Sequence, residues 1–210
     1  MSQSTHALRK PWPGLARQRE GVAFGVWVFL ATEVLFFSGL FLGYAVYRHL
    51  YPEAFIIAAR ETDIVYGVAN TAILLTSSLT MAVAAEACER GLKRVAIWSL
   101  TATASLGLAF LIVKGFEYAE DLSKGLFPGP HFPLAPAQTQ LFWTLYWVMT
   151  GIHAVHLTAG IAAVVGIATL LAQGKLALKA TTYEGLALYW HLVDLIWVFL
   201  LPLLYLVGRS

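Results

Sequence analysis

The sequence predicts an all-α membrane protein, a bundle of five transmembrane helices with its N-terminus inside and its C-terminus outside. Three observations carry that expectation. Of the 210 residues, 59% are hydrophobic and 12% charged, with a mean hydropathy of +0.69, whereas a soluble domain usually carries about 25% charged residues. Five apolar runs reach or exceed the ~20 residues that a helix needs to cross a hydrocarbon core of about 30 Å. Lys and Arg are shared unequally among the connecting segments, and that inequality sets the direction of insertion.

The runs cover residues 22–47, 64–85, 95–119, 141–172 and 185–207. Hydrocarbon offers no water to an open backbone, so each run must satisfy its peptide groups internally, as a helix does. None shows the period-two alternation of a strand. Residues 1–21 are polar and contain Arg9, Lys10, Arg17 and Arg19. They are expected to form a cytoplasmic tail in front of a single transmembrane domain at 22–207. No short apolar core with a small-residue cleavage site follows the tail, so the first run is expected to stay in the membrane.

The first connection contains Tyr51-Pro52-Glu53, and the third, at 127–136, holds four of the eight prolines, the mark of an irregular cap. The other two are shorter. The tail, the 86–94 turn and the 173–184 loop together hold nine Lys and Arg. Arg48, Arg60, Lys114, Lys124 and Arg209 make five toward the opposite side. The positive-inside rule then places the N-terminus in the cytoplasm. A formal charge of +2 is too small to suggest a nucleic-acid partner. Cys88 is the single cysteine, so an internal disulfide, an iron–sulfur cluster, a binuclear copper centre or a structural zinc site lacks its ligands.

Ionisable residues inside the runs cost about 2.5–3.5 kcal/mol each on insertion scales, so each needs a partner or a purpose. Glu33 lies eleven residues into the first run, within WVFLATEVLFF. His153 and His156 stand three apart in TGIHAVHLTAG, and His191 and Asp194 three apart in YWHLVDLIWVF. Residues three apart are separated by about 60° around a helix and share a face. The five residues are expected to form a polar belt between helices, with hydrogen bonding favoured over metal ligation and over a proton-relay or gating role for Glu33. Lys114 and Glu117, in KGFEYAE, are expected to pair or to reach the headgroups at the outer end of the third helix. The small and hydroxyl residues of NTAILLTSSLT let helices approach. Gly39 and Gly43 form a small-xxx-small pair, and Trp12, Trp98 and Tyr205 suggest interfacial anchors.

Five blocks in register, WVFLATEVLFFSGLFLGY, NTAILLTSSLT, KGFEYAE, TGIHAVHLTAG and YWHLVDLIWVFLLPLLYL, resemble subunit III of haem-copper terminal oxidases over residues 22–207. The resemblance implies an accessory subunit in a bacterial cytoplasmic membrane, beside a catalytic subunit I and a subunit II that hold the haem and copper. It implies no redox cofactor in this chain, bound phospholipid, and a link to proton uptake in aerobic respiratory electron transport. Glu33 falls on the family's carbodiimide-reactive carboxyl. His153, His156, His191 and Asp194 fall on its other intramembrane polar positions, as structural or lipid-side residues. The chain matches the five-helix form, without the first two helices of seven-helix members, so any lipid cleft against those helices needs a wall from another subunit.

The complex would be an oxidase of the cytochrome c type, with quinol as the alternative donor. Three other readings compete: a subunit-III-like partner of a nitric oxide reductase, a small transporter, and a haem-b subunit using His191 with His153 or His156. Transporters often show repeat symmetry and broken helices, which this sequence lacks, and these histidines supply one axial pair at most.

Overall fold

The computed structural model describes residues 14–130, 132–176 and 181–209. Five helices are long and apolar enough to span a bilayer. They are α1 (Leu15–Leu50), α3 (Ile64–Glu89), α4 (Lys93–Ser123), α5 (Thr139–Ala172) and α6 (Thr181–Leu201). The last continues through one wider turn, Pro202–Leu206, and its span ends at Leu206. Between α1 and α3 lies a short sixth helix, α2 (Pro52–Arg60).

Two boundaries differ from the sequence expectation. α1 begins at Leu15, so part of the expected polar tail is helical; residues 1–13, with Trp12, lie outside the described residues. The first connection carries a short helix that the sequence reading does not assign. Pro52 opens α2, where the missing N–H costs nothing. Ala54, Phe55, Ala58 and Ala59 give α2 a buried face, and the Phe55 ring meets those of Tyr44 and Phe142 at 5.3 and 5.6 Å. The 127–136 connection has no regular structure in its described residues, as its prolines require.

α3 and α4 form a close antiparallel hairpin. Its turn needs Gly91, whose φ of +75° is a conformation open to glycine, and Leu92 N–H closes it on Ala87 O at 2.8 Å. Thr80 and Thr103 hydroxyls meet across the pair at 2.7 Å. α6 packs among α3, α4 and α5 and is the most enclosed span, whereas α1 is the least enclosed.

The core is stacked in tiers along α6. In the first, Trp190 donates to Ser77 Oγ at 3.1 Å and fills space left by two glycines. A Cβ on Gly107 would lie 2.9 Å from its ring, and one on Gly160, 3.2 Å. In the second, Trp197 meets Phe110 edge-on at 4.7 Å and donates to Thr71 Oγ1 at 3.0 Å. The third tier, at the far end, is ionic. Small and hydroxyl residues thus serve close helix approach, as the sequence suggested. Gly39 and Gly43 do not: among the described residues a Cβ on either would meet nothing within 4 Å, so neither marks a close approach of helices.

Candidate functional site

The first of two intramembrane polar sites joins α1 to α5. Glu33 Oε2 lies 2.8 Å from His156 Nε2, and the side chains remain 17% and 22% exposed on the flank of the bundle. The other ring nitrogen, Nδ1, lies 2.9 Å from Ile152 O. A carbonyl only accepts, so Nδ1 carries a hydrogen. The Nε2–Oε2 contact then holds one further proton, either on a neutral carboxyl or on an imidazolium facing a carboxylate. Tyr189 donates to His156 O at 2.9 Å, while the rings of Phe37 and Phe36 pack at 5.3 and 6.3 Å from the imidazole. The site is a partly open, aromatic-walled position for a single transferable proton.

The other belt residues lie elsewhere, and the five do not form one continuous belt. His153 is fully buried, 5.2 Å from the Trp197 ring and 5.6 Å from Phe110. Neither of its ring nitrogens has a hydrogen-bond partner among the described residues. The 60° between His153 and His156 is enough to turn one into the core and the other toward α1. His191 reaches α3, with Nδ1 2.7 Å from Ser78 Oγ. Asp194 is 4% exposed and lies beside the same serine, but neither carboxyl oxygen makes a well-formed hydrogen bond among the described residues. Glu33 therefore meets one imidazole, not the His191–Asp194 pair. Among the described residues no group of three or more His, Cys, Asp or Glu is close enough to hold a metal ion.

The second site is the ionic tier. Lys114 Nζ lies 3.0 Å from Glu117 Oε2, 2.9 Å from the Tyr146 hydroxyl and 2.7 Å from the Tyr205 hydroxyl. The Lys114 and Glu117 side chains are 3% and 2% exposed. Tyr205 donates to Glu117 Oε1 at 2.7 Å, and the Tyr146 hydroxyl lies within 2.7 Å of Glu117 Oε1 and 2.9 Å of Asp121 Oδ2. The Tyr146 ring adds a cation–π contact to Lys114 at 4.5 Å. The expected pair is thus part of a buried five-residue network joining α4, α5 and the terminal turn. Tyr205 is correspondingly a core residue rather than an interfacial anchor, whereas Trp98 is 75% exposed.

Sequence reasoning missed Asp121, Tyr146 and Tyr205. For Asp121 a signal was present, since it follows Glu117 by four residues and shares its face. The exposed pair just beyond, Lys124–Glu120 at 2.8 Å, holds the Lys124 ammonium above its ordinary value through its hydrogen bond.

Fold and sites together define a multi-pass helical membrane protein with ionisable side chains paired inside its apolar spans. The chain belongs to the cytochrome c oxidase subunit III family, whose sequence model matches residues 15–209. It is 31% identical over 192 residues to the quinol oxidase subunit 3 of Bacillus subtilis, covering 88% of this chain and 86% of that one. It is 30% identical over 190 residues to the cytochrome c oxidase subunit 3 of Corynebacterium diphtheriae, covering 89% and 88%. A heme-copper oxidase subunit I+III of Aeropyrum pernix is 28% identical over 200 residues, which are 90% of this chain and 23% of that longer one.

Proposed function

We propose that this chain is the accessory subunit III of a haem-copper terminal oxidase, packed in a bacterial cytoplasmic membrane beside subunits I and II. The family and the names of its relatives support the association. The Aeropyrum protein joins subunits I and III in its name, which favours direct contact with the catalytic subunit. In this reading haem and copper belong to the partners, the chain is not catalytic by itself, and its N-terminus faces the cytoplasm. Its role is to keep the catalytic subunit stable and supplied with protons over many turnovers.

The observation that carries the proton part is the Glu33–His156 contact. Its side chains are partly open on the flank of the bundle, and its geometry requires one proton between them. A carboxyl and an imidazole at this separation can exchange that proton by small shifts of charge, with the Ile152 carbonyl fixing the ring. Glu33→Gln retains shape but cannot accept a proton as a carboxylate does. The expected result is an assembled complex with normal initial oxygen consumption and an altered lifetime or proton-uptake rate over repeated turnovers. Wild-type lifetime and proton uptake would remove the site from the mechanism, and loss of all oxygen chemistry in an assembled complex would place catalysis in this chain.

A further inference from the structure

A groove of about 610 Å³ runs between α1 and α6, apart from both polar sites. Its walls are apolar side chains such as Val34 of α1 and Leu195 of α6, with Trp27 among them. Besides the Trp27 indole, the one polar lining group is the imidazole of His191. Nδ1 of that ring is tied to α3, 2.7 Å from Ser78 Oγ. Nε2, on the opposite edge of the ring, has no partner among the described residues and is left to the groove.

Ser78 has one hydrogen and two neighbours that can take it, Nδ1 of His191 and the carboxyl of Asp194. When the hydrogen goes to Nδ1, a neutral imidazole carries its own on Nε2 and donates into the groove. When the serine turns to Asp194, Nδ1–H donates to Ser78 Oγ and Nε2 faces the groove as an acceptor. The groove therefore offers one hydrogen-bonding point that can switch sign, inside apolar walls. A molecule that alternates between a carbonyl and a hydroxyl at one position is complementary to both states.

Depth and charge restrict the ligand further. His191 is eight residues past Tyr183, where the last span begins, about 12 Å into the membrane by the helical rise. A charged headgroup is costly at that depth, and no Lys or Arg lines the groove to receive one. A neutral ring with two oxygens and a long apolar tail meets neither obstacle.

We propose that this groove binds an isoprenoid quinone, with a ring oxygen on His191 Nε2 and the tail along the apolar walls of α1 and α6. The oxidised form accepts from Nε2–H, and the reduced form donates its hydroxyl to Nε2. Binding needs no redox centre in this chain. Groove and imidazole belong to this chain alone, so the site does not depend on the electron donor of the complex.

Photolabelling of the full chain, purified with whatever subunits accompany it, tests this. The probe is an azido-ubiquinone with a two-isoprenoid tail, and labelled peptides of this chain are read by mass spectrometry. Label should fall within residues 27–35 and 188–195. Excess decylubiquinone should displace it, and an equal excess of dioleoyl phosphatidylcholine should not. His191→Leu should reduce labelling about fivefold, equivalent to ~1 kcal/mol for one hydrogen bond. His191→Gln, which keeps a donor and an acceptor, should recover most of it. Ala31→Trp fills the groove without touching His191 and should abolish labelling. Leu108→Trp, in the groove between α4 and α5, should label as wild type does. Absence of label from both segments, or undiminished label in Ala31→Trp, overturns the proposal. Equal displacement by phosphatidylcholine assigns the groove to membrane lipid and overturns it as well.

Discussion

Replacing Lys114 with Met tests the ionic tier most severely. The substitution keeps the length and apolar stem of the side chain but deletes an ammonium that makes three contacts at 2.7–3.0 Å. Glu117, whose side chain is 2% exposed, then loses its cation while Asp121 remains within reach through Tyr146. Counting only the two hydrogen bonds that leave the helix, to Tyr146 and Tyr205, at about 0.6 kcal/mol each gives ~1 kcal/mol. Breaking a buried ion pair from one side costs more, about 3–5 kcal/mol, because a charge is left uncompensated. At about 2–4 °C per kcal/mol for a chain of this size, the expected fall in melting temperature is ~6–20 °C. Cys88 supplies the readout: it is the single cysteine and is 1% exposed, so reaction with a thiol-specific fluorophore, followed on this subunit's band, reports unfolding.

Two comparisons separate the causes. Lys124→Met removes a pair whose side chains are 42% and 38% exposed, and should shift the midpoint little. Adding Glu117→Gln to Lys114→Met removes the orphaned charge and should restore most of the loss, whereas independent hydrogen bonds would make the double variant worse than either single one. A Lys114→Met midpoint indistinguishable from that of Lys124→Met would refute the burial argument.

Three further outcomes are expected in the same thiol assay. Gly107→Ala should destabilise by about 1–3 kcal/mol, because the new methyl lies 2.9 Å from Trp190 and 3.0 Å from Ile161; a midpoint at the wild-type value would mean the first tier is loosely packed. His153→Leu should leave the midpoint unchanged or raise it, since it removes two buried nitrogens that bond nothing among the described residues and keeps an apolar group between Phe110 and Trp197; a loss of several degrees would show that the imidazole has a partner. Gly91→Ala should cost about 1–2 kcal/mol through the positive φ of the α3–α4 turn, and a neutral result would mean the turn relaxes at no cost.

Glu33 and Lys114 show how far local sequence carries. Both were legible as carboxylate and ammonium inside apolar runs, because hydrocarbon makes any such residue conspicuous. Their partners were not equally legible. Glu117 and Asp121 follow Lys114 on one helix face, but Tyr146 and Tyr205 arrive from 32 and 91 residues away. A tyrosine near the end of an apolar run looks the same whether it anchors at an interface, as expected of Tyr205, or closes a buried network, as it does.

The number of membrane-spanning helices, their approximate limits and their polar positions were determined by the sequence alone, since the thickness of the hydrocarbon and the rise of a helix leave few alternatives. The rotation of each helix about its axis, and hence every pairing, was decided only by the tertiary structure. In a soluble bundle the apolar stripe reveals that rotation; in a bilayer the lipid-facing and core-facing sides are equally apolar, so the signal vanishes. His153 and His156 are therefore indistinguishable as residues of one helix face. Packing against Trp197 and α1 sends the first into the core and the second to Glu33.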